Sequence, residues 1–137
     1  MAQLIDASVL ISMERQGHTL RDLAALVPDE PIALASITAS ELLVGVHRAA
    51  TPERRLQREC FVEALLAHVP ALPFDLVVAR MHARLWAQLA EAGQLIGPHD
   101  LLVAATAVAH GYAVLTENAR EFGRIPGLVV RQPAWPA

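Results

Sequence analysis

The chain alternates between short apolar runs and longer stretches in which apolar residues recur three and four positions apart. Short apolar runs bounded by turn residues predict buried strands, whereas the longer spacing predicts helices that bury one face. The predicted strands are a first run that ends near Asp6, then residues 31–35, 69–72, 112–115 and 128–130. The predicted helices are residues 8–13, 20–27, 36–47, 51–68, 75–92, 97–109 and a short helix containing Phe122, with an irregular tail at 132–136.

The order of these elements predicts one α/β domain that spans residues 1–137. Strands that alternate with helices favour a three-layer α/β/α sandwich with a mainly parallel central sheet of four or five strands. The stretch 101–109 is apolar at nearly every position, so we expect a helix that is buried all round. The hydrophobic content of 54% fits a sheet covered on both faces, or an apolar face used for oligomerisation.

Charge and composition exclude several kinds of function. The net charge of −3 provides no general basic surface for nucleic acid, so a polyanion has to be held locally by arginines or a bound cation. All eleven basic residues are arginine, which excludes a lysine nucleophile or a phosphate-binding lysine. The single cysteine, Cys60, excludes an intramolecular disulfide, and we expect it to be a small buried hydrophobic residue. No signal peptide or membrane-spanning apolar run is present, which predicts a cytoplasmic protein without a membrane partner.

Four polar residues are predicted to meet at one edge of the sheet. Asp6 ends the first strand, Glu41 lies early in the helix after the second, Asp100 opens the buried helix, and Asn118 follows a later strand. In open α/β sheets, ligands bind at the carboxyl ends of the strands. Each residue also has a structural alternative. Residues 38–41 and 118–121 match helix-capping boxes, Asp6 is a possible helix cap, and Asp100 suits a helix N-terminus.

Three carboxylates in one pocket favour a divalent cation. Their mutual repulsion raises their pKa values, and a bound cation relieves it. Oxygen ligands without cysteine suit Mg²⁺ or Mn²⁺ better than zinc. Such an ion keeps coordination positions open for the oxygens of a phosphodiester. It polarises the phosphoryl group and lowers the pKa of a bound water.

Several segments together resemble the PIN domain family, and within it the VapC toxins of type II toxin–antitoxin pairs. Each segment is a weak signal alone, whereas all of them in this order and spacing are specific. The segments are LIDASVLI (4–11), SITASEL (36–42), IGPHDLLVAAT (96–106), HGYAVLTEN (110–118) and EFGRIPGL (121–128).

The resemblance implies a metal-dependent endoribonuclease whose acidic residues Asp6, Glu41 and Asp100 hold Mg²⁺ or Mn²⁺. The fourth catalytic position, often aspartate in the family, is Asn118 here, although asparagine also occurs there in VapC-like proteins. An asparagine lowers the charge of the site by one and leaves open whether one or two ions bind. Glu121 supplies the missing carboxylate if its helix points it inward.

The resemblance also assigns neighbouring residues and partners. Ser8 and Thr116 match hydroxyl positions that hydrogen-bond the acidic centre or the waters of the metal. His99 beside Asp100 invites a general-base role, although adjacent helical residues point in different directions. VapC-like proteins commonly form homodimers, and a small VapB-like antitoxin blocks them by burying apolar side chains in a groove and placing an arginine in the acidic site.

RNA is expected to reach the acidic site along arginines. Two groups suit phosphate contacts, and the alternative for both is an ordinary solvated helix face; the groups are Arg48, Arg54, Arg55 and Arg58, and Arg80 and Arg84. The few aromatic residues do not alternate with these arginines, so recognition of RNA shape, for example a structured loop of tRNA or rRNA, fits better than a stacking platform. Trp86, Leu85 and Leu89 are expected to lie in the core.

Two other kinds of protein are weighed against a ribonuclease. A phosphoacceptor receiver needs a lysine, which is absent, and an aspartate-nucleophile phosphatase needs a second aspartate where Ser8 stands. A non-catalytic PIN-like module that binds RNA or protein and has a decayed metal site is the remaining alternative, and Asn118 is the feature that favours it.

Overall fold

The computed structural model describes residues 1–135; Pro136 of the predicted tail and Ala137, the end of the predicted domain, lie outside the described residues. Strands and helices follow one another closely from the first residues onward. Their bounds are β1 (Gln3–Ile5), α1 (Ala7–Gln16), α2 (Leu20–Leu26), β2 (Ile32–Ala35), α3 (Ser36–His47), α4 (Pro52–His68), β3 (Ala71–Leu72), α5 (Leu76–Glu91), α6 (Pro98–His110), β4 (Ala113–Leu115), α7 (Ala119–Phe122) and β5 (Val130–Arg131).

The strands form one sheet in the order β3-β2-β1-β4-β5, and every described strand pair is parallel. β1 is the central strand, and its Leu4 is in register with Ala33 of β2 and Val114 of β4. Because the strands are parallel, all of their carboxyl ends lie at the same edge. The sheet therefore brings the residues that follow β1, β2 and β4 close together.

Helices cover both faces of the sheet, which confirms the predicted three-layer sandwich. Leu4 packs in a core cluster with residues of α5 and α6, and its neighbour Ile5 packs in a second cluster with residues of α1, α3 and α4. Successive residues of a strand point to opposite faces, so the two residues before Asp6 anchor β1 in both halves of the core. As predicted, α6 is buried along most of its length, and it ends at Gly111, whose φ of 72° is a backbone conformation that glycine adopts easily.

Some local predictions were wrong. The first helix is longer than predicted, running to Gln16, and the last strand lies at Val130–Arg131. The proposed capping box at residues 38–41 does not exist, because α3 begins at Ser36 directly after β2 and therefore already includes Thr38. None of the helices described within residues 1–135 is both long and apolar enough to span a membrane.

Two side chains expected in the interior lie on the surface. Cys60 is exposed, because the buried face of α4 is set by Val62 and Leu65, and a residue two positions before Val62 points away from it. Trp86 is 51% exposed, whereas Leu85 and Leu89 are each only 3% exposed. One position along a helix turns the side chain by about 100°, which takes Trp86 off the buried stripe.

Candidate functional site

The carboxyl edge of the sheet gathers the four residues predicted to form the site. Asp6 joins β1 to α1, and its backbone N–H donates to Leu115 O at 2.9 Å, so the residue is fixed to the end of β4. Asp100 is the third residue of α6, and Asn118 lies between β4 and α7. Glu41 stands in the second turn of α3, which follows β2 without a loop. Three neighbouring strands of the sheet thus lead into Asp6, Glu41 and Asn118, and the first turn of α6 adds Asp100, so rigid elements hold the four groups.

Two hydroxyl groups hold the Asp6 carboxylate, as the resemblance implies for Ser8 and Thr116. Ser8 Oγ donates to Asp6 Oδ2 at 2.7 Å, and Thr116 Oγ1 donates to the same oxygen at 2.8 Å. The side chain is only 5% exposed and makes no capping hydrogen bond to α1, which excludes the capping alternative for Asp6. Within the described residues Asp6 Oδ1 has no hydrogen-bond partner, so this oxygen is the one available to a ligand.

The same hydroxyls also order the loop after β4. Thr116 Oγ1 accepts from the backbone N–H of Asn118 at 2.9 Å, and Ser8 Oγ accepts from that of Glu117 at 3.0 Å. Through these hydrogen bonds, Thr116 and Ser8 link the Asp6 carboxylate to the backbone of the loop that carries Asn118. Outer groups of this kind orient the side chains that bind a metal.

Thr116→Val is expected to weaken Mn²⁺ binding and RNA cleavage about tenfold, the lower end of the effect seen when an orienting group is removed. Valine keeps the shape of threonine but loses the donor to Asp6 and the acceptor for Asn118. Mn²⁺ affinity measured by titration, together with the rate of RNA cleavage, checks this. Thr116→Ser retains the hydroxyl and is the matched control. Equal affinities in the two variants would contradict an orienting role for the hydroxyl.

Asn118 connects Asp100 to Glu121. Its Nδ2 donates to Asp100 Oδ2 at 3.3 Å and to Glu121 Oε2 at 3.0 Å, and its side chain makes no capping bond to α7. The second proposed capping box is therefore absent as well. Because the Asn118 amide reaches both carboxylates, the Glu121 side chain points toward the site. This inward orientation is the condition set above for Glu121 to supply the missing carboxylate.

The carboxylates interact strongly. Burial raises the pKa of Asp100 to about 7, with further contributions from its hydrogen bond with Glu121 and from the charges of Asp6, Glu121 and Glu41. Burial likewise raises the pKa of Glu41, although His99 acts in the opposite direction. The hydrogen bond with Asp100 lowers the pKa of Glu121. Without a cation, therefore, Asp100 is protonated more readily than an ordinary aspartate, whereas Glu121 is ionised more readily than an ordinary glutamate.

These residues fit a hard divalent cation that keeps part of its water shell. In residues 1–135, no three His, Cys, Asp or Glu side chains already stand close enough together to enclose a metal ion. Mg²⁺ is typically bound by one or two carboxylates together with water, and it does not need an all-protein cage. The mutual repulsion that acts on Asp100 is the kind that such an ion relieves, and the available donors are carboxylate and amide oxygens.

Asp100→Asn is expected to stabilise the metal-free protein at pH 8 by about 1 kcal/mol, which is roughly 4 °C in Tm. The pKa of Asp100 is higher in the folded state than its ordinary value of 3.8, so the folded protein binds this proton more tightly. The stability that this provides is complete below pH 3.8 and is lost as the pH rises through about 7. The magnitude is reduced because the side chain is partly solvated.

Thermal unfolding in a chelator between pH 5 and pH 8 checks this stability prediction. The advantage of the Asp100→Asn variant grows with pH up to about 7 and is constant above it. Asp29→Asn, in the exposed turn before β2, is the matched control and shows no such trend. An equal advantage at all pH values would show that the substitution acts through packing and not through the charge.

His99 lies at the rim of the site. Its Nδ1 is 3.6 Å from Glu41 Oε1, and the side chain is 58% exposed. When protonated, the ring pairs with Glu41 and offsets part of the repulsion in the site. The general-base role of His99 remains a prediction.

The predicted RNA-contacting arginines differ in their surroundings. Arg58 donates from Nε to Glu14 Oε1 at 3.2 Å and from Nη1 to Gly45 O at 2.9 Å, so it connects α4 to α1 and α3. Arg55 donates to His47 O at 3.3 Å. The other four side chains are exposed, and all six phosphate contacts remain predictions; these four are Arg48, Arg54, Arg80 and Arg84. The pairing of Arg58 with Glu14 was not predicted, because partners 44 residues apart leave no local pattern in the sequence.

Comparison with known proteins finds relatives of this chain and of its fold. Residues 4–128 match the family model described as PIN domain. Ribonuclease VapC1 of Rickettsia felis is 34% identical over 130 residues, which cover 95% of each chain. The tRNA(fMet)-specific endonuclease VapC of Salmonella typhimurium is 36% identical over 71% of each chain. In the crystal structure of DNA-bound VapBC from Salmonella typhimurium, one chain superposes with a TM-score of 0.84 at 29% identity, covering 96% of this chain and 98% of that one.

Proposed function

This chain belongs to the PIN domain family, and on that premise we propose that it is a Mg²⁺- or Mn²⁺-dependent endoribonuclease, the toxin of a VapBC-type pair. The proposal rests on one observation above all. Hydrogen bonds connect Asp6 through Thr116 to Asn118, and Asn118 Nδ2 donates to both Asp100 and Glu121. Glu41 lies near enough for its charge to raise the pKa of Asp100, so four acidic side chains share one edge of the sheet. Relatives that are named ribonucleases support RNA as the substrate.

Asp6, Asp100 and Glu41 are the residues that hold the cation in this proposal. A bound Mg²⁺ or Mn²⁺ supplies charge stabilisation for the phosphoryl group and lowers the pKa of a water that attacks it. Ser8 and Thr116 keep the Asp6 carboxylate in one orientation. Asn118 donates to both Asp100 and Glu121 and so fixes their positions, and it completes the catalytic set that the resemblance implies.

The alternative of a decayed, non-catalytic module depended on Asn118. Loss of a fourth acidic residue would indicate decay if no other carboxylate replaced it. The Asn118 Nδ2 instead lies 3.0 Å from Glu121 Oε2, so a carboxylate is present beside the position that is often aspartate in the family. This arrangement supports a site that retains its charge, and it favours the enzyme over the decayed module.

The proposal includes the partners of the protein. A tRNA is the first RNA to test, since one relative is named for tRNA(fMet), and rRNA is the second. A VapB-like antitoxin is the protein partner, supported by related structures that are VapBC complexes. A homodimer in the cytoplasm completes the proposal.

Incubation of the purified chain with bulk tRNA or rRNA, in Mg²⁺ or Mn²⁺ and in a chelator, tests the proposed function. We expect cleavage at defined sites with either ion, none with the chelator, and recovery when excess Mn²⁺ is added. Cleavage that survives chelation would overturn the metal dependence. No cleavage, combined with no Mn²⁺ binding at millimolar concentration, would instead favour the decayed module.

A further inference from the structure

A cavity of about 230 Å³ opens beside the acidic site, between α1, α3 and α4. Glu41 is part of its wall, so the cavity begins at the carboxylate edge of the sheet. Apolar walls come from Ile11 of α1, Leu42 of α3 and Val62 of α4. A molecule that places a phosphodiester at the acidic site therefore has an adjoining space for the group next to it.

The charged part of the cavity wall is fixed by hydrogen bonds. Arg58 lines the cavity and is held by Glu14 at 3.2 Å and by Gly45 O at 2.9 Å. A guanidinium has five N–H donors, so three remain for another molecule. In the described part of the chain, Glu14 Oε2 makes no hydrogen bond. Donors and an acceptor are thus presented together beside apolar walls, with Arg15 at the same cavity.

A single nucleobase matches this combination of surfaces. Its two faces are apolar enough to pack on Ile11 and Leu42, and its edge carries both donors and acceptors for Arg58 and Glu14. The cavity is smaller than the roughly 300–1,000 Å³ typical of sites for drug-sized ligands, so it suits one ring system. An apolar side chain of a protein would cover the remaining donors of Arg58 and the Oε2 of Glu14 without giving them partners, at a cost in free energy.

We infer that this cavity holds one unpaired base of the RNA, from a nucleotide next to the scissile phosphodiester. The inference rests on the proposed ribonuclease function, and it adds a specificity site to it. Since the base packs only where it is unpaired, the enzyme cuts single-stranded segments and loops. The base at one position beside the cut then influences cleavage, whereas more distant bases do not enter the cavity.

Filling the cavity tests the inference. Ile11→Trp adds bulk from a side chain that is 44% exposed, and Val44→Trp adds the same side chain at a position of α3 that is 47% exposed and does not line the cavity. Neither residue belongs to the buried core, so both variants are expected to fold, and Tm measurements check that they do. In the experiment, each protein is incubated with a pool of single-stranded RNA of randomised sequence. The new RNA ends are then sequenced to determine which bases lie beside the cuts.

We expect the unsubstituted chain and Val44→Trp to show the same base preference at one position beside the cut. Ile11→Trp is expected to lose that preference while it still cleaves RNA. A second measurement does not depend on the folding of a variant. Removing the base at the preferred position of a synthetic RNA is expected to reduce kcat/KM about tenfold for the unsubstituted chain, a size typical of base stacking.

Two results would overturn the inference while the proposed function stands. One is cleavage by the unsubstituted chain without a base preference beside the cut, or with no effect of base removal. The other is an Ile11→Trp variant that keeps the same base preference beside the cut. That result would favour a segment of a partner protein as the occupant of the cavity. A failure of the unsubstituted chain to cut any RNA is a different result, since it overturns the proposed function and with it this specificity site.

Discussion

Asp6→Asn is expected to reduce RNA cleavage about a thousandfold while the protein remains folded. Asp6 is the acidic residue at the end of the central strand, and its charge acts directly on Asp100. Removing one charged group that stabilises a transition state typically costs a hundredfold to a thousandfold. The fold should persist because an asparagine oxygen can still accept the hydrogen bonds from Ser8 and Thr116.

Cleavage rates at saturating Mn²⁺, with Tm as the measure of folding, check this prediction. Asp100→Asn is expected to have an effect of similar size, since both residues belong to the same site. Glu117→Gln is the matched control, because Glu117 is an exposed carboxylate next to the site that only accepts a hydrogen bond from Ser12. We expect it to change the rate by no more than about twofold, because exposed charges are screened. Substantial cleavage by both aspartate variants would refute the assignment of the site.

The fold was predictable because local pattern and tertiary environment agree along most of the chain. The run Leu4–Ile5 has no polar residue to place on a surface, so it predicts a strand covered on both faces, and the two residues do pack in different core clusters. Helix ends were predictable where the residue type restricts the backbone, as at Pro52 and Gly111. The edge strand predicted at residues 69–72 exists but is shorter, since β3 covers only Ala71–Leu72 between Pro70 and Pro73.

The grouping of the site residues was predictable for a topological reason. A parallel sheet brings the carboxyl ends of its strands to one edge, so acidic residues that follow separate strands become neighbours without any sequence proximity. The choice between a capping role and a role in the site was only partly predictable. The predicted helix at residues 36–47 has the bounds of α3, so Thr38 already lay inside it, whereas the contacts of the Asn118 side chain with Asp100 and Glu121 leave no local pattern in the sequence.

Contacts between helices that are distant in sequence were not predictable. The pairing of Arg58 with Glu14 arises because α4 packs beside α1 and α3, and no local spacing encodes that contact. The same packing creates the cavity beside Glu41. Single residues next to a buried stripe were also misassigned, as Cys60 and Trp86 show, because an error of one position moves a side chain by about 100°.

The inward orientation of Glu121 changes the interpretation of Asn118. A site with an amide at the fourth position has one negative charge fewer than a site with aspartate there. The hydrogen bond from Asn118 holds the Glu121 carboxylate next to that fourth position. The hydrogen bond between Glu121 and Asp100 keeps the pKa of Glu121 low, so Glu121 is ionised near neutral pH. We propose that Asn118 and Glu121 together perform the role that the family often gives to one aspartate.

Glu121→Gln is expected to weaken Mn²⁺ binding and RNA cleavage, each by about tenfold or more. The substitution removes the ionised carboxylate but keeps an oxygen that can accept from Asn118. Adding Asn118→Asp to this variant returns a carboxylate to the neighbouring position, so we expect the double variant to recover most of the lost affinity. Asn118→Asp alone adds a charge next to Asp100 and Glu121, so we expect it to lower Tm in a chelator.

Mn²⁺ titration and cleavage rates for the two single variants and the double variant form a double-mutant cycle. A coupling in which the double variant binds Mn²⁺ better than Glu121→Gln supports the exchange of one carboxylate for the other. The cycle separates charge from shape, because each step replaces a carboxylate and an amide of nearly equal size. If Glu121→Gln binds Mn²⁺ as tightly as the unsubstituted chain, then Glu121 carries no part of the missing charge, and the site works with the three carboxylates of Asp6, Glu41 and Asp100 alone.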